Sequence, residues 1–523
     1  MIKTKNIHWF YAALIVFAIA LPFSEALISI SGVLLLLASI LDRERRSFSQ
    51  QLREQKGLVW FMGIYLIYLV GFVFTRDLHW GLYDLQKNLP YLIIPLAFLL
   101  AKPLREEQIL NILKIFVVAV AGSAAITMLQ FYLTDEVSVL RAQEAGFIHH
   151  IRFSFQVIFS IIILTVWFAV KRGVLSNRNK KIAGALVIFF LLFLIWHQSF
   201  TGIFTFMGTA LVGIFMLVPK VKSLRWRRIA WVFILFLLIA PVAYLSYAIS
   251  RYYDIDVVDE TQLEQTTAQG NTYQHDLNNQ RIENGHYVGL YWCEKEMKQA
   301  WNKRANLKYE DIDRYGYQVK HTLVRYLTSK DLRKDAEGVE QLTDDDIRNI
   351  EMGVSNYILA NKGLSLYPRL YTTIWELDTY FKTGYANHQS ISQRIEYTKA
   401  ALTIIKDHFW FGVGTGNWKT AYREAYEKNQ SQMDPARYGD AHNQYLNYMV
   451  KFGLIGLLWI VFVIAYPVVI SKAYRNPLFL LFLVSMVIAN LGDSNFETHV
   501  GSSYFALFYC LFLTTSKQED PIT

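Results

Sequence analysis

The stretch LRWRRIAWVFILFLLIAPVAYLSYAISRYYDIDVVDE, 224–260, changes character twice. Arg225, Arg227 and Arg228 come first, then an uncharged apolar run over 229–249, then a segment that turns acidic from Asp254. A run of that length matches the hydrocarbon core of a bilayer, which takes about 20 helical residues. Cations on one flank set the orientation, because short loops rich in Lys and Arg stay on the cytoplasmic side. The stretch therefore predicts a helix that leaves the cytoplasm at the arginine cluster and delivers the chain to the outer face near 251.

Working outward, eleven more apolar runs lie near 8–22, 26–41, 57–75, 89–101, 109–133, 153–170, 182–197, 200–219, 445–470, 477–491 and 501–515. The first follows Lys3 and Lys5 and imitates a signal peptide, but the second comes almost at once after Pro22 and Ser24, which predicts a retained hairpin. The expectation is an all-α polytopic membrane protein of about twelve transmembrane helices. Its organisation would be a transmembrane region over 1–250, one large outer loop over 251–441 and a second transmembrane region over 442–523.

The formal charge of +9 conceals an asymmetry. The segment 251–441 holds 24 Lys/Arg against 28 Asp/Glu, while the other residues hold 28 against 15. With the N-terminus inside, both ends and the loops at 42–56, 102–108, 171–181, 220–228 and 471–476 carry 22 of those cations, including Arg43, Arg45 and Arg46. The short outward loops carry Arg76, Lys87, Arg141 and Arg152. Cations clustered beside apolar runs are topology signals, so no nucleic-acid partner is expected. Cys293 and Cys510 make neither a disulfide framework nor a CxxC pair, and no HExxH pattern appears, so no metal is expected.

The outer loop lacks the Gly/Ser or Pro repeats of a linker. Amphipathic patterning over 285–330 and 388–408 predicts short helices, and Thr343 ahead of Asp344–Asp346 is placed as an N-cap. Four polar constellations fall on the outward side. FIHHIRFSF, 147–155, brings His149, His150 and Arg152 to a span's outer end; interfacial anchoring competes there with binding of an anion. HQSISQRIEYTKAALTIIKDHFWFGVGTGNW, 388–418, places Arg394 near the front of a helix, and a guanidinium can hold a diphosphate bidentately. Its GVGTG turn, 412–416, lacks the Lys-Ser/Thr of a P-loop and is better taken as a tight backbone turn. GDAHNQYLNYMVKFGLIGLL, 439–458, sets His442 and Asn443 at the head of a span, and His is the side chain best suited to accept a proton near neutral pH. In NLGDSNFETHVG, 490–501, Asp493 and Glu497 are four apart and on a helix would share a face.

The order IRFS, RIEYTKAALTIIKDHFWFGVGTGN and AHNQYLNYMVKFGLIGLL, with a large outer loop before the last spans, resembles the O-antigen ligase and polymerase superfamily. The loop text NGHYVGLYWCEKEMKQAWNKR, LVRYLTSKDLRKDAEGVE and RLYTTIWELDTYF is similar to a branch common in Bacteroidetes. The resemblance implies a GT-C-type glycosyltransferase of the bacterial inner membrane, with both termini cytoplasmic, its active site on the periplasmic face, and no cofactor. Its donor would be a glycan on undecaprenyl diphosphate, and its acceptor a sugar hydroxyl of lipid A–core. A polymerase joining lipid-linked repeats is the near alternative, and a twelve-span transporter or flippase the remote one.

By the same resemblance His442 would be the general base or orient the acceptor, and Arg394 and Arg152 would hold the diphosphate. His150, Asn443, Asp493 and Glu497 would bind substrate or support the site. One departure stands out: where many relatives carry an arginine, HQSFTG, 197–202, has Phe200, which leaves His197 or Arg152 to substitute.

Overall fold

The computed structural model describes residues 8–42, 48–133, 146–170, 176–220, 223–279, 281–314, 316–360 and 364–515. Lys3, Lys5, the Arg43/Arg45/Arg46 cluster, Arg141 and both ends of the chain lie outside the described residues.

Every one of the apolar runs is helical, but they differ in reach. Among the described residues seven helices are long and apolar enough to cross a membrane: Lys56–Val73, Glu106–Leu133, His150–Phe168, Asn177–His197, Phe200–Leu217, Leu224–Tyr252 and Gln444–Ile470. Trp9–Ala20, Glu25–Leu41 and Pro477–Gly492 are shorter apolar helices, as are Pro90–Leu100 and His499–Thr515. The all-α polytopic architecture is the expected one, with seven of the twelve apolar runs in spanning-length helices and five in shorter ones. The 11 residues of Pro90–Leu100 rise about 1.5 Å each, roughly half of a core about 30 Å thick.

The helix starts are written locally. Ser24, Ser176, Ser199, Asn443 and Asn476 each cap the helix that follows, the side-chain oxygen accepting from a first-turn N–H. Such caps matter where a bilayer offers no water to the free N–H groups.

One helix organises the rest. His499–Thr515 is buried on all sides from Val500 to Leu513. A helix apolar all round belongs in a core. Its aromatics interlock with its neighbours: Tyr509 stacks on Phe61 at 4.0 Å, and Phe508 lies 4.8 Å from both Phe116 and Phe159. Leu224–Tyr252 is the opposite case, with Ala248 its one buried residue and its apolar surface turned outward.

Among the described residues between 251 and 441, the regular structure is short helices joined by irregular segments, with a small hairpin pairing Ile282–Glu283 with His286–Tyr287 and a few isolated bridges. Glu294–Arg304 and Val319–Ser329 fall where amphipathic patterning predicts helices, and Ser390–Asp407 fills 388–408. Thr343 caps Asp344–Glu351 in a reciprocal box with Asp346. One apolar core gathers Met297, Trp301, Leu323 and Leu327. A second gathers Tyr397, Ala400, Ile404 and Tyr426 and continues into Ala441 and Val450, so the chain after 380 is packed on the head of Gln444–Ile470.

Candidate functional site

The site begins with a broken helix. Gly453, inside Gln444–Ile470, has φ 65° and ψ −168°, a conformation open essentially to glycine. The segment around the GVGTG turn fills the break: Val413 and Gly414 donate to the Val450 and Lys451 carbonyls at 2.9 and 2.8 Å, and Leu454 donates to Phe409 at 2.8 Å. Gly412, Gly414 and Gly416 all have positive φ. A Cβ on Gly412 would stand 2.4 Å from the Lys451 carbonyl carbon. With Thr415 also donating, to Gly71, the N–H groups of Val413, Gly414 and Thr415 are spent on carbonyls. The glycines thus make a tight docking turn, as their spacing predicts, and cradle no phosphate.

This docking fixes the chain that carries His442. Tyr422 accepts from the Ala441 N–H and donates to Asn447, both at 3.0 Å. Asn447 in turn donates to Asp440 and to Ser494 at 2.7 Å. Ser494 donates back to the Ala441 carbonyl at 2.6 Å, which ties 440–447 to the turn after Pro477–Gly492. His442 then places Nδ1 3.3 Å from Asp493 Oδ1, with its side chain 42% exposed against 4% for the aspartate. Its ring lies 5.7 Å from that of Tyr397.

Asp493 is a charged anchor. Burial raises its affinity for a proton, but the bond to His442 and the charges of Arg152, His442 and Arg394 outweigh burial and hold the carboxyl below its usual range. Arg394 donates to the Gly492 carbonyl at 2.7 Å, and burial pulls its guanidinium below its ordinary basicity. Arg152 keeps a buried Nε without a hydrogen-bond partner. The His149, His150 and His197 rings form a chain, 4.4 and 6.0 Å between centroids. Burial, then the charge of Arg152, pushes His149 towards its neutral form.

A cavity of about 780 Å³ opens here, with Arg152, His442 and Asp493 in its wall. Ile28, Val33, Ile93 and Ile94 line an apolar arm between Glu25–Leu41 and Pro90–Leu100. Four expected site residues thus share one cavity: Arg152, His442, Asp493 and Glu497. Arg394 stands behind Asp493. Asn443 caps its helix and donates to the Leu491 carbonyl at 3.0 Å, so its amide is already engaged by backbone. His150 faces the His149 and His197 rings.

Asp493 and Glu497 do not share a helix face. Asp493 is extended and Glu497 closes a single 3₁₀ turn, which sends the two carboxylates to different partners. Glu497 belongs to a buried cluster that sequence reasoning missed. Lys451 Nζ sits 2.8 Å from both Asp84 and Glu497, and Lys87 Nζ sits 2.9 and 3.1 Å from the same two residues. Tyr68 donates to Glu497 at 2.9 Å and Trp418 to Asp84 at 3.0 Å. Burial would raise Glu497, but the two lysines outweigh it and keep the carboxyl far below its ordinary value. The signal available in sequence was Lys451, the one charge inside the 445–470 run, since an ionisable group within a span is seldom idle.

Among the described residues, the group with metal-ligand proximity is Asp256, His286 and Asp331, none of which lines the cavity. At Phe200, where the resemblance leads one to expect an arginine, the guanidinium of Arg369 lies 5.7 Å over the ring.

Residues 352–461 match the model of a family described as O-antigen ligase. The matched segment includes Arg394, the glycine turn, His442 and Lys451. No curated protein matches the chain. Members of that family are glycosyltransferase-like enzymes. With the matched segment packed onto a spanning helix and its histidine set in the cavity wall, the chain is an all-α membrane protein that carries an O-antigen ligase family segment over residues 352–461.

Proposed function

We propose that the chain moves a glycan from undecaprenyl diphosphate to a sugar hydroxyl of lipid A–core, at the periplasmic face of the bacterial inner membrane. The observation that carries this reading is the His442–Asp493 pair, 3.3 Å apart in the cavity wall, with Arg152 and Arg394 around the same carboxylate. Asp493 holds Nδ1–H, which leaves Nε2 free to accept a proton.

The chemistry then follows from charge. The acceptor oxygen attacks the anomeric carbon while His442 takes its proton, the sugar–phosphate C–O bond breaks, and its electron pair stays on the departing diphosphate. That growing charge falls to the guanidinium groups of Arg152 and Arg394. A single displacement inverts the anomeric configuration. The apolar arm between Glu25–Leu41 and Pro90–Leu100 suits an isoprenoid chain entering from the bilayer. Lys87 and Lys451 are neutralised by Asp84 and Glu497 and hold the wall in place.

The test is deletion of the gene, with complementation by wild type, His442→Ala and Arg394→Ala and a lipopolysaccharide gel. Ligation predicts bare core and carrier-bound glycan in the deletion strain, and failure of both variants to restore the ladder. Core bearing a single repeat would assign polymerisation instead, and full complementation by both variants would overturn the site.

A further inference from the structure

Arg369 stands in the first turn of Tyr367–Thr383 and does not behave as a surface cation. Its Nη2 reaches Ser390 Oγ at a long 3.4 Å, and its Nε is buried without a partner. Among the described residues no carboxylate stands within ion-pair distance. Glu376, two turns further along the helix, instead accepts the Ile391 N–H at 2.8 Å. A half-buried guanidinium whose Nε is shut from water and unpaired is costly unless an anion completes it.

Its neighbours say which anion. Ser390 lies one turn before Arg394 on the same helix. On the other side, the Phe200 ring under Arg369 follows Ser199, whose hydroxyl is 3.4 Å from that of Ser154, two residues beyond Arg152. Arg369 therefore touches the helix that carries Arg394 and, through Phe200, the start of the helix packed beside the one that carries Arg152. Its charge adds to the burial that depresses Arg394, and it also acts on His150. Like charges gathered in a half-buried place mark a site built for a multivalent anion.

We propose that Arg369 is the third guanidinium of the leaving-group site and holds the diphosphate from the Phe200 side. This rests on the donor reading above. Three arginines against Asp493 give the site two positive charges, which match the two negative charges of a diphosphate diester. After transfer, the C–O electron pair leaves the diphosphate with a third negative charge, and the acceptor's proton on His442 gives the site a third positive one. Charge stays matched through the step. Without Arg369 the site would be one charge short at both ends.

The experiment uses the full-length protein in detergent, titrated with farnesyl diphosphate and with farnesyl monophosphate. The expected result is that Arg369→Ala and Arg369→Met weaken the diphosphate by about 10-fold or more, the scale of a lost charged hydrogen bond, and leave the monophosphate nearly unchanged. Phe200→Arg placed in the Arg369→Ala background should recover the diphosphate affinity. Arg369→Met keeps an apolar stem on Phe200, so a folding defect in the alanine variant would not hide the answer. The proposal is overturned if both variants bind farnesyl diphosphate as wild type does, or lose both ligands equally. If wild type itself fails to prefer the diphosphate, the donor reading fails and takes this proposal with it.

Discussion

Lys451→Met tests whether the buried charge cluster acts as a unit. Lys451 is 5% exposed on its side chain and Asp84 fully buried, with Nζ 2.8 Å from each of two carboxylates. Its removal leaves Asp84 and Glu497 to share Lys87 alone, one uncompensated negative charge in a buried site. Breaking a buried pair in this way costs about 3–5 kcal/mol. Glu497→Gln strips the opposite sign and should cost about as much. The double variant restores balance, because Lys87 keeps Asp84 at 2.9 Å. It should therefore lose at least about 2 kcal/mol less than the two singles added together, within the range of measured coupling energies. The assay is SDS titration of the full-length protein in dodecyl maltoside micelles, followed by far-ultraviolet circular dichroism. Additivity within about 0.5 kcal/mol, or a single Lys451→Met loss below about 1 kcal/mol, would refute the argument that these four charges are buried and mutually compensated.

Four more outcomes follow from the site. His442→Ala should reduce glycan transfer by about 10²–10⁴-fold, the contribution of a general base, with donor binding retained in an equilibrium assay. Asp493 is held below its usual range, so it contributes stability above the unfolded carboxyl value of about 3.9 that is lost as pH falls through the lower folded value; acid unfolding of wild type should show this limb and Asp493→Asn should lack it. Gly453→Ala would drive a Cβ to 2.3 Å from the Trp410 carbonyl carbon in a glycine-only conformation, so the strain alone, about 1–3 kcal/mol, should lower the midpoint in the same SDS titration. Asn443→Ala should cost about 1 kcal/mol through the lost cap, and Asn443→Ser should recover most of it; a defect in transfer with no loss of stability would instead assign Asn443 to substrate.

Much of this was legible from residue order, for identifiable reasons. Apolar runs state the helices because a bilayer admits no unpaired backbone, and the caps at Ser24, Ser199 and Asn476 sit where the runs begin. The glycine turn and Thr343 were legible because their backbone demands are local. Crossing length was less so. Pro90–Leu100 is apolar enough to pass for a span, yet its helix is 11 residues long and ends at Ala101, which is extended.

What sequence alone determined is therefore the helical membrane architecture, the helix starts, and the types of side chain available at the outward ends. Each depends on neighbours a few residues apart. Tertiary structure alone decided the pairings: His442 with Asp493 across 51 residues, Lys451 with Asp84 across 367, and Arg369 over Phe200. It also separated Asp493 from Glu497, which four-residue spacing would put on one face only if the segment were a helix. The physical reason is that a charge's partner is set by where packed helices bring it through space. Several backbones can offer the same side chains, and only the packed one says which cation is neutralised and which is left for a substrate.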